Sequence, residues 1–162
     1  MAPNAFRNRN RPHALPGMSL LEIIAVVAIL LVIVSLAFGS LTTFRETSLL
    51  DQAVDTSLGY LREARQKTLA SENASAWGVH FAETSITLFR GGVYNASDAT
   101  NVVYTVSSLL SLSLSISTTT ASVVFDRLTG ASSVTGTVTF QGTRLNRSKV
   151  IQIFSSGLSA KQ

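Results

Sequence analysis

Cysteine is absent from the 162-residue chain. That excludes disulfide scaffolds, thiolate-held metals, iron–sulfur clusters and cysteine nucleophiles, and it leaves the redox compartment unread. Charge is scarce as well. Asp, Glu, Lys and Arg make up 14% of the residues against 46% hydrophobic, the reverse of the composition that keeps a chain disordered. Histidine is almost missing: beyond the first 17 residues only His80 remains. Without a cysteine or a second histidine there is no triad and no transition-metal constellation, so no catalytic residue and no cofactor are assigned. His80 reads as a strand residue. Adjacent glycines, Gly91-Gly92, lie between short strand-like segments and read as a hairpin turn rather than a phosphate cradle. At this length the chain is one domain, or a small domain with an appendage.

The formal charge of +4 is unevenly spread. Arg7, Arg9 and Arg11 sit in the first 17 residues with no acid among them, and the remaining ten basic residues face nine acids. A basic N-terminus ahead of an apolar run points to membrane orientation more than to nucleic-acid binding. From 23 to 44 there follow 22 residues without a charge, which as a helix would extend roughly 33 Å, enough for a bilayer. Two alternatives stand beside that reading. A buried core helix is rare in a small domain, because this run is apolar on every side. A secretory signal would have a shorter apolar region, although Ala37-Phe38-Gly39 is a passable cleavage site.

One carboxylate, Glu22, stands at the lip of this run, immediately after Pro16-Gly17-Met18-Ser19-Leu20-Leu21. An unpaired charge at the edge of hydrocarbon is costly and calls for a partner. If the chain is cut after Gly17, Met18 carries a new α-amino group one helical turn from Glu22. An amine on the same or an adjacent copy then neutralises it.

Gly17-Met18-Ser19-Leu20-Leu21-Glu22 followed by an apolar helix resembles the processing signal of type IV prepilins and type II secretion pseudopilins. The resemblance implies a prepilin peptidase/methyltransferase that cuts after Gly17 on the cytoplasmic side and methylates Met18. It makes Glu22 the acid at the fifth mature position, used in assembly. Met18 stands where the family most often carries phenylalanine. A glycine before the scissile bond suits an extended backbone in a narrow active site, and Pro16 keeps the leader out of helix.

Residues 42–71 read as a continuing, now amphipathic helix. Leu50, Val54, Leu58, Leu61, Ala64 and Thr68 recur at spacings of three and four, with Arg45, Glu46, Asp51, Asp55, Arg62, Glu63 and Arg65 mostly elsewhere around the cylinder. Those charges read as a solvated or subunit-facing surface. Gly39 and Gly59 mark weak candidates for a bend.

After Asn73 the period changes to two, most clearly in Leu110-Ser111-Leu112-Ser113-Leu114-Ser115-Ile116-Ser117, a half-buried strand. Further strands are expected at 77–81, 85–89, 101–105, 122–125, 135–140 and 149–154, with turns at Glu83-Thr84, Gly91-Gly92, Thr129-Gly130 and Gln141-Gly142. The expected fold is α+β. A long N-terminal helix, transmembrane in its first half and amphipathic in its second, packs on a small antiparallel β-sheet or sandwich head. The organisation is a cleaved cytoplasmic leader at 1–17, a transmembrane and filament-core helix at 18–44, its amphipathic extension at 45–73 and the head at 74–162.

Tyr60-Leu61-Arg62-Glu63-Ala64-Arg65, Val123-Val124-Phe125-Asp126-Arg127-Leu128-Thr129-Gly130 and the closing Val150-Ile151-Gln152-Ile153-Phe154 are similar to the minor pseudopilin group of the tip-associated H pseudopilin and the FimT pilins. The family resemblance implies a single-pass inner-membrane protein, head outside, that later joins a cell-surface or periplasmic filament. Its partners are other pilins, an inner-membrane assembly platform and, before assembly, membrane lipid. Some members of the group bind DNA through a basic C-terminal tail. Here Arg144, Arg147, Lys149 and Lys161 are the candidates to contact phosphates, but Leu158 and Ser159 stand where DNA-binding members tend to carry arginine. Two functional classes follow: a structural filament subunit, and a tip-located module that binds DNA or a secreted cargo. An unprocessed single-span protein is a remote third. Asn-x-Ser sequons at Asn73, Asn95 and Asn146 predict modification only weakly.

Overall fold

The computed structural model describes residues 17–117, 120–144 and 146–162, without the side chains of 37–42. The basic leader with Arg7, Arg9, Arg11 and Pro16 lies outside the described residues. One long helix, α1 (Leu20–Leu69), is followed by a 3-10 turn (Glu72–Ala74) and eight strands. The strands are β1 (Trp77–Ala82), β2 (Ser85–Arg90), β3 (Val102–Thr105), β4 (Leu110–Ile116), β5 (Ser122–Val124), β6 (Gly136–Gly142), β7 (Ser148–Ile153) and β8 (Ser159–Lys161). The chain divides into two compact units, 1–39 and 40–162.

In the first unit, α1 begins where Ser19 supplies a cap. The Ser19 hydroxyl accepts the Glu22 N–H at 3.2 Å, and the Ser19 carbonyl accepts the N–H groups of Glu22 and Ile23 at 3.0 and 3.3 Å. Ser-x-x-Glu is the sequence of a capping box. Every large apolar side chain from Met18 to Leu36 is exposed.

Among the described residues, no helix is long and apolar enough to cross a membrane. The transmembrane first half of the helix and the single-pass inner-membrane location are therefore corrected, and membrane and transmembrane character with them. Counting uncharged residues alone extends the run to Phe44, through the hydroxyl-bearing Thr42 and Thr43.

In the second unit the period of the helix decides what is buried. Leu50, Val54, Leu58, Leu61, Ala64 and Thr68 are all at most 6% exposed, joined by Ala53 and Ser57. This stripe shares one core with Val79, Phe81, Ile86 and Leu88 of one sheet and Val138, Phe140, Ile151 and Ile153 of the other. Both sheets are antiparallel and four-stranded, ordered β3-β2-β1-β5 and β4-β6-β7-β8. The helix assignment continues through Gly39 and Gly59.

The end of α1 is fastened to β1. Trp77 N–H donates to the buried Thr68 hydroxyl at 2.9 Å. Lys67 lies 4.3 Å from the centre of the Trp77 ring and pairs with Glu63 and Glu72 at 3.3 and 3.5 Å. On β1, Gly78 is opposite Phe89 of β2, and a Cβ at Gly78 would meet the Phe89 ring at 2.8 Å. Residues alternate as a half-buried strand requires in β4, where Leu112 and Leu114 pack on the core while Ser111, Ser113 and Ser115 are exposed.

Two local expectations shift. Gln141-Gly142, read as a turn, is the end of β6, because the two residues pair with Ser111 and Leu110 of β4; a Cβ at Gly142 would lie 2.4 Å from Oε1 of Glu46. Strand β8 was not foreseen. Its Ser159-Ala160-Lys161 has no alternation to display and exists through pairing with β7.

Candidate functional site

The residues of the processing signal sit at the start of α1. Gly17 and Met18 are exposed and precede the helix, so the peptide bond between them is accessible. A Cβ at Gly17 would meet nothing within 4 Å, so no contact among the described residues demands glycine there. Met18 lies ahead of the Ser19 cap rather than within the helix. Glu22 is exposed and occupies the first turn of α1, where the partial positive charge of the helix N-terminus favours a carboxylate by about 0.3–1 kcal/mol. The acid thus has a local role in starting the helix that the sequence reading missed, although Ser19-x-x-Glu22 was its visible signal.

The adjoining surface is apolar on all sides. Leu20, Leu21, Ile24, Ile29, Leu31 and Leu36 are among the side chains exposed by 61–79%, and the least exposed of the set, Val34, is still at 44%. A contiguous apolar surface of this kind is far beyond the scattered exposed leucines of an ordinary monomer and marks an interaction surface.

The basic candidates do not form one cluster of free cations. Lys149 and Lys161 both pair with Asp51 of α1, Lys161 at 3.2 Å, and Lys161 reaches Asp55 at 3.5 Å. Hydrogen bonds from Lys149 and then Lys161 hold the Asp51 carboxyl below its ordinary value. The Asp51 hydrogen bond pushes Lys161 up. The acids of the amphipathic helix, read from sequence as a solvated or subunit-facing surface, in part bind the last two strands to it. Arg144 and Arg147 are exposed. The main-chain N–H of Arg144 donates to Oε1 of Glu46 at 3.0 Å, and Glu46 itself is only 3% exposed. A buried carboxylate needs such donors, since its desolvation is costly. Glu46 lies four residues before Leu50 and seven before Ala53, on the same face of α1 as the buried stripe, whereas its exposed neighbour Arg45 lies off that face.

His80 stacks on Tyr94 with ring centres 3.9 Å apart, and its Nδ1 lies 2.9 Å from the Ser122 hydroxyl. Burial pushes the imidazole below its ordinary value, toward the neutral ring. Tyr94 also meets Phe89 edge-on at 5.4 Å. The loop after β2 thereby covers the outward face of the first sheet, beside a shallow groove of about 350 Å³ bordered by Tyr94, Ser122, Val124 and Ser133. Among the described residues no group of histidine and acidic side chains is placed to hold a metal. No family model matches the chain, and neither a curated protein nor a solved structure shows significant similarity to it.

Proposed function

We propose that the chain is a structural, minor subunit of a type IV pilus or type II secretion pseudopilus. A prepilin peptidase cuts it after Gly17 and methylates Met18, and an assembly platform adds it to a helical filament of other pilins through its apolar N-terminal helix. The observation that carries this reading is the uncovered apolar surface from Met18 to Leu36 directly behind an exposed Gly17–Met18 bond. Packing such helices side by side removes that surface from water at about 25 cal/mol per Å². Within the bundle an ionised Glu22 is tolerable only beside a cation, and the Met18 amine of a neighbouring subunit is of the right charge. A mismatched stagger leaves the carboxylate buried and unpaired, so the pair sets register.

A tip-located subunit that holds DNA or a cargo protein is the alternative proposal. It draws on the exposed Arg144 and Arg147, but Lys149 and Lys161 are already neutralised by Asp51 and Asp55.

Two substitutions separate assembly from helix capping. Glu22→Gln keeps the first turn and removes the charge, so it should abolish incorporation into filaments. Ser19→Ala removes the cap, costing about 0.5–2 kcal/mol locally, yet should still assemble. Filaments of Glu22→Gln as abundant as those of the parent would contradict the proposal.

A further inference from the structure

The four edge strands of the two sheets are protected unequally. Beyond β5, Ser133 N–H donates to Val124 O at 2.8 Å, and Val124 N–H donates to the Ser133 hydroxyl at 3.2 Å. Strand β8 has three residues and ends in the ion-paired Lys161. Strand β3 has four residues. Strand β4 has seven, with no proline and no charge, and no charged residue occurs anywhere between Asp98 and Asp126. Long, uncharged, straight edges are the ones that recruit another strand.

The phase of the ladder shows what β4 offers. Thr143 N–H donates to Leu109 O, and Ser117 N–H donates to Thr135 O, both at 2.9 Å. Residues 109 and 117 thus belong to hydrogen-bonded pairs with the β6 side, and by alternation so do Ser111, Ser113 and Ser115. The main-chain N–H and C=O groups of Leu112, Leu114 and Ile116 therefore point to the open side, where no further strand lies among the described residues.

We propose that the β4 edge pairs antiparallel with β4 of a second copy of this chain, about a two-fold axis through Ser113. In that register Leu112 faces Leu114 and Leu110 faces Ile116, on the side that already packs on the core. Ser111 faces Ser115, and Ser113 faces its own copy, on the solvent side. Apolar meets apolar and hydroxyl meets hydroxyl throughout, while a slip of one residue would set leucine against serine. The absence of charge of either sign lets identical edges approach without repulsion, which like charges directly opposite would cause. The pairing uses the head alone and does not rest on the filament reading. A two-fold contact closes after two chains, so it yields pairs and not polymers.

The chain has no cysteine, so single cysteines introduced into the full-length protein in mild non-ionic detergent report the register. Under mild oxidation Ser113→Cys should form disulfide-linked dimers, because a non-hydrogen-bonded antiparallel pair holds its Cα atoms about 4.5 Å apart. Ser111→Cys alone should not, since its counterpart is displaced by about 13 Å along the strand. A mixture of Ser111→Cys and Ser115→Cys should cross-link. Ser113→Lys, at an exposed position, should weaken dimerisation several-fold in sedimentation while leaving the fold intact by circular dichroism. Equal cross-linking of Ser111→Cys and Ser113→Cys, no cross-linking of Ser113→Cys, or dimers indifferent to Ser113→Lys would each overturn the proposal. A Ser113→Cys cross-link retained when the apolar helix is altered would support the pairing and its independence from the filament.

Discussion

Residues 20–36 and 50–69 belong to the same helix yet obey different rules. The first stretch is apolar around the whole cylinder and every described large side chain is exposed; the second is apolar on one stripe, and that stripe is buried under two sheets. Helix propensity does not distinguish them. Periodicity does, because a single apolar stripe can be satisfied by one core, whereas an all-round apolar surface needs neighbours on several sides. One part is thus stabilised within the chain, and the other is left for contacts outside it.

The same substitution made in both parts should have very different effects. Leu61→Ala in the buried stripe should cost about 2–5 kcal/mol, read as a lower denaturation midpoint. Leu30→Ala, at 54% exposure, should stay within about 0.5 kcal/mol of the parent while reducing self-association. Equal losses from the two would mean that the first stretch is already covered within the chain. A smaller effect tests the junction of helix and sheet. Thr68→Val keeps the shape but strands the Trp77 N–H that donates to the Thr68 hydroxyl, so it should destabilise by about 1–3 kcal/mol.

The smallest effect concerns Asp51. Its folded-state pKa is depressed, so its contribution to stability is present above the unfolded carboxylate value and is lost as pH falls through the lower folded value. Asp51→Asn should therefore give a shallower decline of stability on acidification than the parent, in matched chemical denaturation series. The pair is partly exposed to solvent, so added salt should shrink the difference between the two proteins.

Much of the second unit was legible in sequence. The 3.6-residue stripe from Leu50 to Thr68 and the two-residue alternation of β4 are strong, local patterns, and both correspond to the burial observed. Strand β8 was not legible, because three residues carry no period and its existence depends on β7. Glu46 extends the helix stripe one turn toward the N-terminus, so its burial follows the same period; what was not legible is its partners, Gly142 and the Arg144 N–H, nearly 100 positions along the chain. The lysines near the C-terminus looked like a free basic patch because sequence shows charges but not the distant acids that neutralise them. At the helix start, the pattern Ser19-x-x-Glu22 was visible, but the acid was read for its cost near hydrocarbon and its use in assembly, and not for its place in a cap.

The account is tested most directly by the intact mass and N-terminal sequence of the chain after co-expression with a prepilin peptidase. It predicts a protein that starts at a methylated Met18, with everything through Gly17 removed. A product that retains the Gly17–Met18 bond, in cells where a known prepilin is processed, would contradict it.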